Sequence, residues 1–150
     1  MDYLERVIKE TMRLFPAVPL IRRSVDEDPK LDSHVLPKGS DLIISLVSLH
    51  RRPDIWKDPL VFDPDRFLEE NEASRPDYSY LPFSYGTRNC IGFKHAMLSM
   101  KTTLAIFFRN YEVQTTEYKS IEDVDFSVSI VAYPKRGCKV NLQKLEKKNS

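Results

Sequence analysis

The 150-residue sequence predicts a mainly α fold with small β-sheets, an α+β arrangement. Three observations point there. Two segments carry apolar residues at spacings of three and four, as amphipathic helices do. Other stretches alternate apolar and polar residues in the manner of short strands. Between them lies a long proline-rich segment without a hydrophobic period. The length fits one domain, and 41% apolar with 30% charged residues excludes wholesale disorder. With 23 Lys and Arg against 22 Asp and Glu, the net charge of +1 removes the nucleic-acid reading that a basic chain would invite. Two cysteines are too few for a disulfide scaffold. The longest apolar-rich stretch, Leu42 to Leu49, is too short to span a bilayer. The charged opening MDYLERVIKE is no signal peptide, so the sequence by itself reads as soluble and intracellular.

The elements follow in chain order. Leu4, Val7, Ile8, Thr11, Met12 and Phe15 fall on one helical face, so a helix is expected over 1–16, with Asp2 as N-cap and Pro16 as its end. Residues 17–51 should form two extended stretches, PAVPLIRRSV and VLPKGSDLII, joined by the polar DEDPKLDSH and followed by a helical turn at Leu46 to Arg51. Pro53, Pro59, Pro64, Pro76 and Pro82 make 52–82 irregular, while Trp56, Phe62, Phe67, Tyr78 and Tyr80 offer aromatic anchors for it. Ordered loops of that length are uncommon unless functional. Phe93, Ala96, Met97, Met100, Leu104, Phe107 and Phe108 mark a second long helix over 91–109. Residues 110–143 alternate like antiparallel strands, with Gly137 near a turn, and 144–150 read as a solvated tail.

The scarce residues cluster. Two of the four glycines, Gly86 and Gly92, bracket Cys90 in the stretch 83–92. A thiolate just before a helix feels the positive helix end and free backbone N–H groups. Gly86 and Gly92 leave room for something flat and bulky, Phe83 offers an apolar wall, and Arg88 a donor for an anionic group. That set suits a metal macrocycle bearing carboxylates, that is, haem. On composition alone, Cys90 as one more small buried hydrophobe stays open. A zinc site would need about four compactly spaced ligands. His34, His50, His95, Cys90 and Cys138 lack that spacing, and Cys138 reads as an ordinary strand cysteine. Glu10 and Arg13 are three apart on the first helix, where an exposed ion pair such as Glu5 with Lys9 is the ordinary outcome.

The stretch Phe83, Gly86, Arg88, Cys90 and Gly92 resembles the haem-binding signature Phe-x-x-Gly-x-Arg-x-Cys-x-Gly of the cytochrome P-450 family. Glu10 and Arg13 resemble that family's Glu-x-x-Arg pair, and Pro64-Asp65-Arg66-Phe67 its Pro-x-Arg-Phe block. The resemblance maps residues 2–142 to the C-terminal, haem-proximal part of the family fold. It implies that Cys90 is the axial ligand of haem b (iron protoporphyrin IX), with Arg88 and Arg23 on the propionates. Arg22 is the weaker candidate for that contact. It also implies a structural lock in which Arg66 joins Glu10 and Arg13 around one carboxylate, clamping the proximal loop. Val18, Pro19, Leu20 and Ile21 match a pocket-lining segment. His95 and Ser99 depart from residues common in the family, which bears on partner docking and redox tuning more than on ligation.

By the same resemblance, the whole enzyme is a monooxygenase that inserts one atom of O2 into a hydrophobic small molecule, a fatty acid, steroid or xenobiotic. Its electrons come from NADPH through a reductase, docked where Lys94 and Lys101 add positive charge. The wording looks most like the animal microsomal type related to fatty-acid hydroxylases. That places the whole enzyme on the cytosolic face of the endoplasmic reticulum, anchored by an N-terminal segment outside this sequence. The long helix crossing the distal haem face also falls outside it, so the 150 residues are not expected to be active alone. A reductase-independent, peroxide-rearranging enzyme and a truncated, non-catalytic remnant are the alternatives.

Overall fold

A computed structural model of the chain describes residues 1–116 and 121–146. The first helix, α1, spans Asp2–Leu14. Asp2 is not its cap: Met1 occupies that position and Asp2 lies in the first turn, where its charge suits the helix dipole. The helix stops before Pro16, with the Phe15 N–H bonded to the Thr11 carbonyl at 2.8 Å. Its inner face holds Ile8 and Leu14, and Glu10 and Arg13 are as fully buried as they are. Thr11, expected on that face, is exposed.

Strand β1 (Leu20–Ser24) pairs antiparallel with a later strand, and the connection between them carries its own two-residue strands, β2 (Lys30–Leu31) and β3 (His34–Val35). The partner of β1 is β4 (Asp41–Ser45), with Leu20 opposite Ser45 and Ser24 opposite Asp41. The short helix α2 (Leu46–Leu49) follows at once, its first turn capped by the Ser45 hydroxyl accepting the Ser48 N–H at 3.2 Å. Leu46 is fully buried beneath β1.

The proline-rich segment is ordered. It contains a 3₁₀ turn at Pro64–Phe67, where the Asp63 carboxylate accepts the Asp65 N–H at 3.0 Å, and a short helix α3 (Glu69–Ala73). Of the five expected aromatic anchors, Trp56 and Phe67 are buried and Tyr80 packs on both. Phe62 and Tyr78 are exposed instead, at 42% and 60%. Arg75 lies over the Trp56 ring at 4.1 Å and over Phe67 at 5.2 Å, filling the place an apolar side chain would take.

The second long helix, α4, spans Phe93–Asn110, two residues later than Ile91. It packs on α1, but none of its residues is fully buried, and Leu98 and Ile106 stay 63% and 59% exposed. Two antiparallel pairs complete the described chain. Strand β5 (Tyr111–Thr116) pairs with β8 (Val140–Lys144), and β6 (Phe126–Val128) pairs with β7 (Ala132–Pro134). Strand β8 takes in Lys144, so the expected tail begins later, and its last residues, 147–150, lie outside the described residues. Cys138 is not in a strand; it is an exposed thiol in the loop between β7 and β8. The β6–β7 pair is tied back to the front of the chain by the Phe15 and Phe126 rings, stacked 4.8 Å apart, and by the Ala132 N–H on the Ala17 carbonyl at 2.8 Å.

Candidate functional site

Two features converge on one region: a buried charge cluster behind it and a cysteine loop in front. The cluster is built on α1. Arg13 grips Glu10 with two parallel bonds, Nε to Oε2 at 2.7 Å and Nη2 to Oε1 at 2.8 Å. Its remaining hydrogens go to backbone carbonyls, with Nη1 donating to His50 and Pro59 at 2.8 Å each. Glu10 in turn accepts the Asp63 N–H at 2.9 Å. One guanidinium and one carboxylate thereby tie together α1, the residue after α2 and the proline-rich segment. Lysine, a point donor, could not reach these partners at once.

Arg66 faces the same Glu10 carboxylate as Arg13, as an ion pair. Its Nε lies 3.5 Å from Glu10 Oε1 and closes no hydrogen bond, while Nη2 donates to the Asp58 carbonyl at 2.9 Å. It contributes charge to the cluster more than directed bonding. The ordinary Glu5 to Lys9 pair does not form as the main contact of either residue. Lys9 reaches Glu72 at 3.0 Å, and Glu5 takes Lys101 of α4 at 2.6 Å. That ammonium holds the Glu5 carboxyl below its usual range.

The cysteine loop runs from Pro82 to Gly92. It folds back on itself because Cys90 N–H donates to the Phe83 carbonyl at 2.9 Å and Asn89 N–H to the Gly86 carbonyl at 3.1 Å. Gly86 sits at φ +84, a left-handed conformation natural to glycine. Ser84 is held at φ +63, where a non-glycine residue is uncommon. A Cβ on Gly92 would lie 4.0 Å from the Cys90 sulfur, an ordinary contact, so sterics at the thiol do not by themselves demand glycine there.

Cys90 is a free, exposed thiol and not a buried hydrophobe. It is separated from the start of α4 by Ile91 and Gly92, and among the described residues no backbone N–H donates to its sulfur. It lines a cavity of about 380 Å³ together with Phe83, Arg88, Arg23, Val18 and Ile21. Strand alternation explains which arginine arrives there. Arg22 and Arg23 point to opposite faces of β1. Arg22 is exposed and bonded to Asp41 at 2.5 Å, whereas Arg23 is half-buried and its Nη2 donates to Ser84 Oγ at 2.7 Å. Phe83 is half-buried and tilted against Phe93, with ring centroids 6.2 Å apart. Pro19 and Leu20 fall outside the cavity lining.

This donor set fits haem. Among the described residues no group of three His, Cys, Asp or Glu side chains is placed to hold a bare metal ion. A macrocycle carries its own four nitrogens and asks the protein for a single axial ligand, which Cys90 offers. Arg23 and Arg88 supply charge for carboxylates, and the rest of the lining is largely apolar.

Sequence reasoning missed two participants. His50, weighed only as a zinc ligand, is completely buried, and its Nε2 accepts the Leu81 N–H at 2.9 Å. Burial and the nearby Arg13 charge push its pKa down to about 4. Ser84 occupies a variable position of the loop, yet it is the residue that holds Arg23. Nothing in the sequence marks either contact, since both join segments far apart in the chain.

The family model described as Cytochrome P450 matches residues 1–142. The chain is 47% identical over 146 residues to cytochrome P450 4g1 of Drosophila melanogaster, covering 96% of this chain and 26% of that protein. It is 39% identical over 142 residues to cytochrome P450 4V2 of Homo sapiens, covering 95% and 27%. A crystal structure of the cytochrome P450DA haem domain matches with a TM-score of 0.86 at 23% identity, over 95% of this chain and 31% of that one. At that identity the likeness speaks for the fold alone. The chain spans about a quarter of the length of the curated relatives it matches, 26% and 27%.

Proposed function

The chain belongs to the cytochrome P450 family, and on that footing we propose that it forms the proximal wall of a haem–thiolate site in which Cys90 is the iron ligand. The observation that carries this is the exposed Cys90 thiol lining a cavity of about 380 Å³ between Arg23 and Arg88. Haem bound there would supply oxygen activation, with electron donation from the thiolate favouring O–O cleavage. The chain's own residues do the rest. Arg23 and Arg88, both in the cavity lining, would hold the propionates by charge. Phe83 would give that site an apolar wall. Glu10, Arg13 and Arg66 do no chemistry and fix the framework behind the loop.

The whole protein acts as a monooxygenase on a hydrophobic small molecule. Support comes from the apolar Val18 and Ile21 in the cavity lining and from relatives of the family-4 type. Fatty acids, steroids and xenobiotics are the candidates. Electrons arrive from an NADPH-dependent reductase. Lys94 is exposed and available to such a partner, whereas Lys101 is committed to Glu5. The protein works at the endoplasmic reticulum membrane; none of the described helices is long and apolar enough to cross a bilayer itself.

The test uses the haem-loaded, full-length protein that carries this chain. Cys90→Ser should abolish the thiolate-type Soret band of the reduced carbon monoxide complex, and a band that persists would overturn the ligand assignment. Product formation should require NADPH and reductase. Turnover of hydroperoxides without either would keep the ligand and replace monooxygenation by peroxide rearrangement.

A further inference from the structure

We propose that His50 is a positioning residue for the Cys90 loop, connecting the buried Glu10–Arg13 cluster to the point where that loop begins. The connection is continuous in hydrogen bonds. Arg13 Nη1 donates to the His50 carbonyl at 2.8 Å, and the His50 N–H donates to the Leu46 carbonyl at 2.9 Å, so the His50 backbone is fixed from two sides. The ring then reaches across to Leu81, whose N–H it accepts on Nε2 at 2.9 Å. Leu81 hands the bond forward, its carbonyl accepting the Ser84 N–H at 3.1 Å in the turn that opens the loop. Pro82 has no N–H, so Leu81 carries the last backbone donor before Phe83. Phe83 is the residue whose carbonyl closes the loop on Cys90.

The choice of histidine follows. The Leu81 N–H is part-buried and takes its acceptor from the His50 ring. An apolar residue at 50 would fill the space and strand the Leu81 hydrogen. The ring must be neutral with its proton on Nδ1, because Nε2 accepts. The carbonyls of Arg13 and Met12 favour that ring proton, although Nδ1 closes no hydrogen bond of normal geometry. Tyr80, with its ring 5.2 Å away, seals the other side and donates its hydroxyl to the Lys9 carbonyl at 2.8 Å. The imidazole is thus set in a slot between α1 and the end of the proline-rich segment, and its one directed contact across that slot is the loop entry.

The inference rests on the ligand role of Cys90 only for its spectroscopic arm. In the full-length protein, His50→Leu removes the acceptor at similar volume, and His50→Gln restores one through Oε1. Amide hydrogen exchange at Leu81 should quicken about tenfold in His50→Leu, the loss of roughly one hydrogen bond, and return towards wild type in His50→Gln. In the haem-loaded variants, His50→Leu should lose part of the thiolate-type Soret band at unchanged haem content, with His50→Gln recovering it. Equal Leu81 exchange in His50→Leu and wild type, or no recovery in His50→Gln, would overturn the proposal. If His50→Leu does not fold, wild-type exchange decides, because a Leu81 amide less protected than the α1 amides is incompatible with this strap. Failure of the Cys90 assignment shows in Cys90→Ser and leaves the exchange result standing.

Discussion

Replacing Glu10 by Gln removes one charge from the interior and almost no volume. The carboxylate takes two bonds from Arg13 at 2.7 and 2.8 Å and one from the Asp63 N–H at 2.9 Å, all without solvent, since Glu10 and Arg13 are both 0% exposed. Gln keeps one acceptor oxygen and turns an N–H₂ donor toward Arg13 or Asp63. The Arg13 guanidinium is then a buried cation without a counter-ion, with Arg66 close by. Breaking a buried pair by removing one partner costs about 3–5 kcal/mol. That is a large fraction of the ~5–15 kcal/mol that holds a typical domain together. The contacts to the Pro59 and Val61 carbonyls and to the Asp63 N–H place the effect on the proline-rich segment as well as on α1. The assay is urea unfolding of the apo full-length protein, followed by far-ultraviolet circular dichroism, for Glu10→Gln, Arg13→Met and the double variant. The double variant should be less destabilised than the sum of the singles by about 2 kcal/mol or more, because the second change removes the stranded charge. A loss below about 1 kcal/mol for Glu10→Gln, or simple additivity, would refute the claim that this pair is an interior lock and return it to an ordinary helix pair.

Three further outcomes follow from the same geometry. His50 has a folded pKa of about 4 against 6.5 unperturbed, so the unfolded chain takes up its proton first as pH falls. Its contribution is present above pH 6.5 and is lost down to about pH 4, in total about 3 kcal/mol, and His50→Gln should flatten that part of an unfolding midpoint series between pH 7 and 4. Arg75→Lys keeps the charge but loses the planar stack on Trp56 and Phe67, so thermal unfolding should report a cost of about 1–2 kcal/mol, with no change in the Cys90 loop. Ser84→Gly relieves the φ +63 conformation and removes the hydroxyl that holds Arg23. It should leave stability level or raised by up to about 1 kcal/mol while haem transfer to apomyoglobin quickens; slower transfer would contradict the assignment of Arg23 to a propionate.

The legible part of this chain was what is local. Helices α1 and α4 announce themselves by period within their own residues, the extended stretches of β1 and β4 by the polar run between them, and the Cys90 stretch by its spacing. The helix ends were less legible, since neither the Met1 cap nor the start of α4 at Phe93 is marked by a strong capping residue. Period and spacing said nothing of what lies between segments; the family resemblance alone spoke to it, by joining Arg66 to Glu10 and Arg13. Glu10 and Arg13 have the spacing of a surface pair, and their burial depends on Pro59, Val61 and Asp63 arriving from some 50 residues away. Phe93 and Phe108, on the expected apolar face of α4 yet 37% and 49% exposed, make the same point in reverse: helical period marks an apolar face, not what covers it.

The charged residues of α1 divide by burial into groups that should behave oppositely under salt. Arg6 to Asp65, Lys9 to Glu72 and Lys101 to Glu5 are ion pairs at 2.5, 3.0 and 2.6 Å, each with at least one partner a third or more exposed. Such pairs contribute about 0–1 kcal/mol apiece and are screened at physiological ionic strength. The Glu10–Arg13 pair, at 2.7 Å, falls within the same range of distances but has no water to screen it. Geometry therefore does not rank these contacts; the dielectric around them does. Holding the cysteine loop against thermal motion falls to the buried pair and the His50 contact beside it. The outer ion pairs set only how firmly the edges of α1 lie on α4 and the proline-rich segment, and neutralising any one of them should leave the loop where it is.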